Sequence, residues 1–432
     1  MKEIILFWFR RDLRLQDNCA LFHALKQNKP VLPIFIFDKA ILDQLADKDD
    51  ARVHFIHKTV AEMDAVLRKK SGGILVSFGY PEEVFKRLIK KYRITDVYTN
   101  HDYEPYAIKR DEQVESILKA KNVTFHSFKD QVIFEKEEIL TQNGTPYTIY
   151  TPYRKKWQQM VTAESLSPFP SENFLKKLYT NDIDSVPDIE KLGFNKSKIQ
   201  FPDKELPENI ISQYDQKRNF PGINGTTRLG IHLRFGTVSI RDLVRSAMEL
   251  NETWLSELIW REFFMMILSQ FPHVVDTSFR GEYDSIVWRN DEEEFYRWCM
   301  GQTGYPFVDA GMRELNETGF MHNRARMITA SFLTKHLLID WRRGERYFAR
   351  KLLDYDLASN NGNWQWAAGC GCDAAPYFRI FNPTTQIKKF DAEYSYIKKW
   401  VPEYDQAHYP EPIVDHKFAR ERALSVFASA LK

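Results

Sequence analysis

The chain has 432 residues, of which 43% are hydrophobic and 28% charged, and its formal net charge is +2. This length exceeds what one ordinary hydrophobic core covers and predicts two domains joined by a connector. A net charge near zero excludes a uniformly basic nucleic-acid binder, so a site for a polyanion must gather its basic residues on one surface.

The N-terminus and the cysteines indicate the compartment. The first ten residues change from apolar to doubly basic, which leaves too short an apolar region for a signal peptide. The sequence has no run of about 18 apolar residues, and its four cysteines form no CxxC pair and no secretory framework. We therefore expect a cytoplasmic protein without a membrane partner.

Residues 1–130 have the pattern of an α/β domain. Short apolar runs alternate with segments of helical length, namely "EIILFWF", "VLPIFIF", "ILVSF", "TDVYTN" and "VTFHSF". This alternation predicts a Rossmann-like parallel sheet. The glycine-rich dinucleotide fingerprint is missing, because "FRRDLRLQDN" follows the first run, and this excludes an ordinary NAD-binding domain.

The rest of the chain divides into a connector and a helical domain. Residues 131–205 are rich in Pro, Ser, Asp and Lys, as in "SLSPFPSENF", which predicts a long interdomain linker. Residues 206–432 show long helical patterns such as "NETWLSELIWREFFMMILSQF" and "MHNRARMITASFLTKHLLIDW". We expect this second domain to be nearly all helix.

A helix predicted around 254–270 places a carboxylate among aromatic rings. Trp254, Glu257 and Arg261 follow each other at spacings that share one helix face, and Trp260 flanks that face. An ordinary amphipathic helix with a Glu257–Arg261 ion pair explains this spacing equally well. The surrounding residues are apolar on all sides, however, and a buried charge needs a partner or a purpose.

Two further segments contain candidate contact residues. In "HNRARM", Asn323 and Met327 are four residues apart, so an amide and a thioether share a face, although such a methionine is more often part of the core. In "GTTRLGIHLR", Thr226, Thr227 and Arg228 precede a helical run, which suits either phosphate binding or a simple helix N-cap.

The acidic and thiol pairs do not predict a metal site. Asp354 and Asp356 stand two residues apart, but amides follow them instead of histidine or a third acidic ligand. Cys370 and Cys372 are two thiols without the further ligands that four-coordinate zinc requires. We expect no metal.

Together these segments resemble the photolyase and cryptochrome family over nearly the whole chain, and are most similar to its class I cyclobutane pyrimidine dimer enzymes. The similar stretches are "FWFRRDLRLQDN", "WLSELIWREFF", "TGYPFVDAGMRELNETGFMHNRARMITASFL", "DWRRGERYF" and "NNGNWQWAAGCGCDAAPYFRIFNP". The resemblance implies an enzyme in which photoexcited reduced anionic FAD passes an electron to a pyrimidine dimer flipped out of UV-damaged DNA, and we expect a monomer.

The resemblance also implies roles for particular residues. Glu257 would stabilise the dimer and Asn360 would face flavin N5. The FAD pocket would comprise Tyr214, Thr226, Thr227, Arg228, Leu229, Gly230, Trp254, Glu257, Arg261, Asn323, Arg326, Asp354, Asp356 and Asn360. DNA and the lesion would contact Arg218, Trp260, Asn323, Arg324, Met327, Trp366 and Arg379. Electrons would reach the flavin through Trp364, Trp341 and Trp288.

Two questions remain open at the level of the sequence. Tyr106 and Ala107 stand where folate-binding relatives have an Asn-Glu pair, so a second, antenna chromophore would be of the deazaflavin or flavin type more readily than folate, or the pocket could be empty. The alternative function is a cryptochrome-like blue-light receptor that signals through a partner. Glu257, Trp260, Met327 and Asn360 favour repair, as does the lack of a long C-terminal tail after "FASALK".

Overall fold

The computed structural model describes residues 2–70, 72–180 and 183–431. Contacts divide the chain into two compact units. The first unit comprises Met1–Glu135, Met160–Lys204 and Leu229–Ser246, and the second comprises Lys136–Gln159, Glu205–Arg228 and Ala247–Lys432. The segment 131–205, predicted as a linker, contributes residues to both units.

Helices occur in both units. In chain order they are α1 (Cys19–Leu25), α2 (Lys39–Leu42), α3 (Ala51–Arg68), α4 (Pro81–Lys91), α5 (Pro105–Lys119), α6 (Tyr150–Met160), α7 (Glu208–Ile211), α8 (Tyr214–Lys217), α9 (Gly230–Phe235), α10 (Ile240–Leu250), α11 (Glu252–Gln270), α12 (Glu292–Met300), α13 (Pro306–Thr318), α14 (Asn323–Ser331), α15 (Trp341–Lys351), α16 (Leu357–Ala368), α17 (Pro383–Phe390), α18 (Ser395–Trp400) and α19 (His416–Ala430). Short 3₁₀ turns cover Ser171–Lys177, Ile189–Leu192, Pro272–Val275 and Gly281–Ser285, and a π-helical turn covers Phe332–His336.

The first unit is built on a parallel sheet, as the sequence predicted. Its strands are β1 (Glu3–Phe9), β2 (Val31–Asp38), β3 (Leu75–Gly79), β4 (Arg93–Asn100) and β5 (Thr124–Phe128), in the order β3-β2-β1-β4-β5. The residues of β2 are all buried and those of β1 nearly all, whereas the edge strands β3 and β5 are partly exposed. Central parallel strands are covered on both faces, which is why they read as continuous apolar runs.

The polar motif after β1 forms a buried ion network. Asp130 accepts hydrogen bonds from Arg14 Nη2 (2.6 Å) and Arg241 Nη2 (2.9 Å), and Arg241 also binds Asp17. Burial alone would raise the pKa of Asp130, but the two guanidinium groups lower it below its usual value. The motif thus holds its loop in place by paired charges.

The second unit is helical and has no strand among its described residues. Its main core packs around large buried rings, including Trp298, Phe307, Trp341 and Trp364. The pattern predicted to be one long helix from 321 to 341 is instead interrupted: α14 ends at Ser331, a π-helical turn follows, and α15 begins after Asp340, whose side chain caps it. No helix in the described part of the chain is long and apolar enough to cross a membrane.

Candidate functional site

Helix α11 places Glu257 at the edge of the core of the second unit. The helix begins after Asn251, whose Oδ1 accepts hydrogen bonds from the backbone N–H groups of Thr253 (3.0 Å) and Trp254 (3.1 Å). Trp254 is buried at 4% exposure. One turn later, Glu257 keeps 35% side-chain exposure and forms an ion pair with Arg218, the residue that ends α8.

The surroundings of Glu257 favour its acid form more than water does. Burial raises the pKa of this carboxyl, and the neighbouring Arg218 lowers it by less. The Arg218 guanidinium carbon lies 5.6 Å from the ring centre of Tyr214, so the three side chains form one group. A carboxyl with a raised pKa can donate a hydrogen bond as well as accept one.

Trp260 is held flat by a tyrosine that the sequence analysis did not select. The Tyr150 ring stacks on the Trp260 indole with centroids 3.6 Å apart and planes at 12°. The Tyr150 hydroxyl donates to the backbone oxygen of Ser256 (2.7 Å) and lies 2.6 Å from its Oγ, which ties α6 to α11. The signal for this contact was the tyrosine-rich stretch "YTIYTPYRKKW", which lies in the segment predicted as a linker.

Helix α14 presents an amide, a thioether and a guanidinium together. Asn323 Nδ2 lies 3.9 Å from Met327 Sδ, so these two residues do share a face, and Arg324 Nη1 lies 3.6 Å from the same sulfur. Arg324 Nη2 donates to Asn219 Oδ1 (2.6 Å). Burial and then the positive charge of Arg218 lower the pKa of Arg324. Arg218 and Arg324 are therefore close enough to repel each other, and this surface attracts anions.

The acidic residues before α16 have separate structural partners. Arg326 Nη2 donates to both carboxylate oxygens of Asp354 (2.9 and 3.1 Å), so these two side chains form an ion pair. Arg326 Nε donates to the backbone oxygen of Met321 (2.7 Å). Asp356 is the N-cap of α16 and accepts a hydrogen bond from Ser359 N (3.1 Å).

Asn360 is bound to a second residue that the sequence analysis missed. Its Nδ2 donates to Oε1 (2.8 Å) and to the backbone oxygen (3.1 Å) of Glu345 on α15. Burial raises the pKa of Glu345, and the bond from Asn360 lowers it by less. The carboxyl beside this amide therefore tends toward its neutral form. Glu345 lies in the quoted stretch "DWRRGERYF", but only packing shows that it contacts Asn360.

The three tryptophans predicted as an electron relay belong to one core. Trp364 and Trp341 are buried in it at 2% and 1% exposure, and the half-buried Trp288 packs against it. Trp364 lies against Gly344 of α15 so closely that a Cβ at this glycine would overlap the indole ring. Trp364 and Trp341 are therefore buried in the core, whereas Trp288 lies nearer the solvent.

Other predicted residues lie apart from these contacts. Helix α9 has Leu229 as its N-cap and no side-chain cap, so the alternative that a threonine simply caps this helix is wrong. Thr226, Thr227 and Arg228 belong to the second unit, whereas Leu229 and Gly230 are counted with the first. Arg228 is exposed and lies over the Phe320 ring at 4.5 Å. Within the second unit, Arg261 and Trp366 are half-buried and Arg379 is exposed.

The two thiols of "GCGC" are buried and uncharged. Burial raises the pKa of both Cys370 and Cys372 to about 12, and a metal would need the thiolate. No group of three or more metal-ligating side chains occurs among residues 2–70, 72–180 and 183–431.

The first unit contains a separate cavity of about 170 Å³ at the end of β1 and β2. Tyr106 and Ala107 line it, and the Tyr106 hydroxyl donates to Asp38 Oδ2 (2.6 Å). The guanidinium carbons of Arg10 and Arg110 lie 5.0 and 4.9 Å from the centre of the Trp8 ring, and both guanidinium groups pair with Asp111. Flat rings and guanidinium groups suit a planar polar ligand, and Asp38, Asp102 and Glu104 of the same lining balance the charges of the arginines.

Both parts of the chain match known protein families. The family described as "DNA photolyase" matches residues 5–173, and "FAD binding domain of DNA photolyase" matches residues 254–408. The chain is 37% identical to the deoxyribodipyrimidine photo-lyase of a Synechococcus species, over 99% of this chain and 97% of that protein. It is 35% identical to the Escherichia coli protein of the same name, over 99% of both.

Solved structures agree with these matches. A bacterial class III photolyase from Agrobacterium tumefaciens superposes with a TM-score of 0.87 at 33% identity, covering 100% of this chain and 98% of that one. An archaeal photolyase from Sulfolobus tokodaii with two FAD molecules gives 0.83 at 35% identity, with coverages of 99% and 100%. A Synechocystis cryptochrome gives 0.86 at 26% identity, with coverages of 98% and 99%.

Proposed function

Since this chain belongs to the DNA photolyase family, we propose that it repairs cyclobutane pyrimidine dimers in DNA by light-driven electron transfer from reduced FAD. The geometry around Glu257 supports this most directly. A carboxyl with a raised pKa, paired with Arg218, stands within one turn of the flat Trp260 indole. A flipped dimer needs a hydrogen-bonding group and an apolar wall, and these residues supply both.

The guanidinium groups beside Glu257 would hold the DNA backbone. Arg218 and Arg324 are near enough that the charge of one lowers the pKa of the other. A phosphate between them would relieve this repulsion, and each contact would release counterions. The net charge of +2 therefore does not oppose DNA binding, because Arg218 and Arg324 place two positive charges near each other beside Glu257.

The residues of the second unit fit a reduced flavin. FAD would be held by Trp254, Asn323, Asn360 and the Arg326–Asp354 pair, with Tyr214, Thr226, Thr227, Arg228, Arg261 and Asp356 as the remaining contacts. When bound, it supplies the electron that opens the dimer and takes it back. Asn360 presents an uncharged amide, so this side chain adds no negative charge against an anionic ring, and burial raises the pKa of the adjacent Glu345.

Glu257 would act on the lesion, not on the cofactor alone. In its acid form it can donate a hydrogen bond to an oxygen of the dimer as negative charge develops there. Arg218 would release Glu257 for this contact and turn to a phosphate of the DNA. Trp260 would be kept in a fixed plane by the stacked Tyr150, so that the extruded dimer meets a rigid surface.

A second chromophore of the flavin class would occupy the cavity of the first unit. Tyr106 and Ala107 line this cavity, together with Trp8, Arg10 and Arg110, and rings with guanidinium groups suit a planar ring system with polar edges. The archaeal relative with two FAD molecules supports the same assignment. Reconstitution with riboflavin derivatives or methenyltetrahydrofolate, followed by absorption spectroscopy, distinguishes these antenna classes.

We further propose that the protein works as a monomer in the cytoplasm. The cysteines Cys19, Cys299, Cys370 and Cys372 are all buried and unpaired. Free thiols are typical of a reducing compartment.

One experiment tests the repair function. Purified protein, loaded with FAD and kept reduced, is illuminated with an oligonucleotide that contains a single thymine dimer, and both the product and the absorption spectrum are recorded. We expect restored thymines in the light and none in the dark. A flavin-containing protein that leaves the dimer intact under these conditions would refute the proposal.

The similarity to a Synechocystis cryptochrome keeps a light-receptor role as the second candidate. A receptor would bind FAD but would not need Glu257 beside Trp260. The same assay separates the two functions, because a receptor would show the flavin spectrum without dimer repair.

A further inference from the structure

A fourth tryptophan contacts the innermost residue of the predicted relay. Trp298 on α12 is completely buried, and its ring centroid lies 6.1 Å from that of Trp364, with the planes at 70°. The Phe348 ring lies 4.9 Å from Trp364 and 6.0 Å from Trp298, so apolar contacts fill the space between them. A hole on Trp364 therefore has a near neighbour besides Trp341.

The two neighbours differ in how well they can carry positive charge. Trp298 Nε1 donates a hydrogen bond to the backbone oxygen of Thr329 (3.2 Å). Trp341 Nε1 is buried and has no acceptor among the described residues. An acceptor at the indole N–H stabilises the oxidised ring, because removal of an electron makes that N–H more acidic and its hydrogen bond stronger.

A nearby positive charge also disfavours a hole on Trp341. The Arg342 guanidinium carbon lies 4.7 Å from the centre of the Trp341 ring and raises the energy of a second positive charge there. The carboxylates of Asp284 and Asp340 lie 2.5 and 3.3 Å from the Arg342 guanidinium nitrogens and offset part of this effect. Trp298 is enclosed by Phe295, Phe348 and Tyr347. The hydrogen bond to Thr329 favours Trp298 as a site for the hole.

Tyr347 continues the path toward solvent. Its ring lies 5.7 Å from Trp298 at 65°, and the residue is half-buried. The hydroxyl donates to Asn316 Oδ1 (2.6 Å). We propose that Trp364, Trp298 and Tyr347 form a second electron route to the flavin, parallel to Trp341 and Trp288. This rests on the proposed function, which needs reduced FAD, because the route would return oxidised flavin to that reduced state under light.

The electron balance of this route is complete. Trp364 gives one electron to the photoexcited flavin and is left as a radical cation, and Trp298 then gives one electron to Trp364. Tyr347 gives one electron to Trp298 and loses its phenolic proton to water. An external thiol reductant returns one electron and one proton to Tyr347.

The test compares photoreduction of the flavin in matched variants. Under blue light with a thiol present, Trp341→Phe should keep roughly one tenth or more of the wild-type rate, and Trp341→Phe/Trp298→Phe should fall at least about tenfold further. Trp400→Phe in the Trp341→Phe background is the control, because Trp400 is a half-buried tryptophan packed against the same core. Flavin content and near-ultraviolet circular dichroism verify that each variant is folded.

Electron paramagnetic resonance supplies a readout that loss of packing would not produce. Freeze-trapped Trp341→Phe should show a tyrosyl radical that disappears in Trp341→Phe/Tyr347→Phe. Equal photoreduction rates in Trp341→Phe and Trp341→Phe/Trp298→Phe would overturn the second route, and so would an equally large effect of the Trp400 control. Failure of the repair function is detected separately, as absence of dimer repair by chemically reduced wild-type protein.

Discussion

Replacement of Lys335 by methionine should stabilise the protein near neutral pH. Lys335 is 1% exposed in the π-helical turn, and its Nζ donates to the backbone oxygen of Ala368 (2.6 Å) and lies 3.6 Å from the centre of the Phe427 ring. Among the described residues, no carboxylate contributes to the pKa of Lys335. Burial lowers the pKa of Lys335 from 10.5 to about 7, opposed only weakly by Cys370.

The size of the effect follows from this difference in pKa. The folded pKa of about 7 lies below the unfolded value of 10.5, so the unfolded chain binds more protons between these pH values and stability rises with pH across that window. Below pH 7 the whole penalty is present, about 5 kcal/mol at roughly 1.4 kcal/mol per pH unit. The hydrogen bond and the ring contact of Lys335 stabilise the wild type by about 1–3 kcal/mol and offset part of this penalty. Methionine cannot form them.

Lys335→Met should therefore be about 2–4 kcal/mol more stable than the wild type at pH 6, and the advantage should nearly vanish by pH 9. Urea unfolding of the flavin-loaded proteins between pH 6 and 9, followed by near-ultraviolet circular dichroism, measures the difference. Lys399→Met is the matched control, because the exposed Lys399 lies over the Trp400 ring at 4.6 Å without being buried. A stability difference that does not change with pH would refute the reasoning.

Three further substitutions test the site. Glu257→Ala should keep FAD bound and lower the repair quantum yield roughly 5-fold, which is the factor for about 1 kcal/mol. Glu257→Gln keeps a hydrogen-bond donor and should lose less of the quantum yield. Equal losses in the two variants would contradict a donating role of Glu257. Gly344→Ala should destabilise the protein by about 1–3 kcal/mol in urea unfolding, because the new Cβ would displace the Trp364 ring. Unchanged stability would show that the contact between Gly344 and Trp364 is loosely packed. Trp288→Phe should slow photoreduction without abolishing it and leave repair by pre-reduced protein intact, and loss of that repair would exclude a relay role.

Much of the fold could be read from local patterns. The five runs predicted as strands are β1 to β5. The clearest of them, β1 and β2, are continuously apolar because their residues are buried on both faces of the sheet. The helix expected around 254–270 is α11, from Glu252 to Gln270. These predictions succeed because burial periodicity is a property of neighbouring residues and needs no knowledge of the partner.

The predicted helix from 321 to 341 shows where such patterns end. Its residues keep a helical apolar period, but the chain leaves α14 after Ser331, and Lys335 lies in the π-helical turn that follows. The period of apolar residues indicates which side of a segment is buried. It does not report that the backbone must widen for a turn and bring a lysine beside the Phe427 ring of α19.

By itself the sequence determined the order of strands and helices, and the motifs that imply a flavin site with Glu257 and Asn360. Only the tertiary structure decided which side chains meet: Arg218 with Glu257, Tyr150 with Trp260, Glu345 with Asn360, and Trp298 with Trp364. These partners come from different helices, and the separation along the chain carries no signal for them. Burial and charge at the site, and hence the pKa of each carboxyl, arise from that packing.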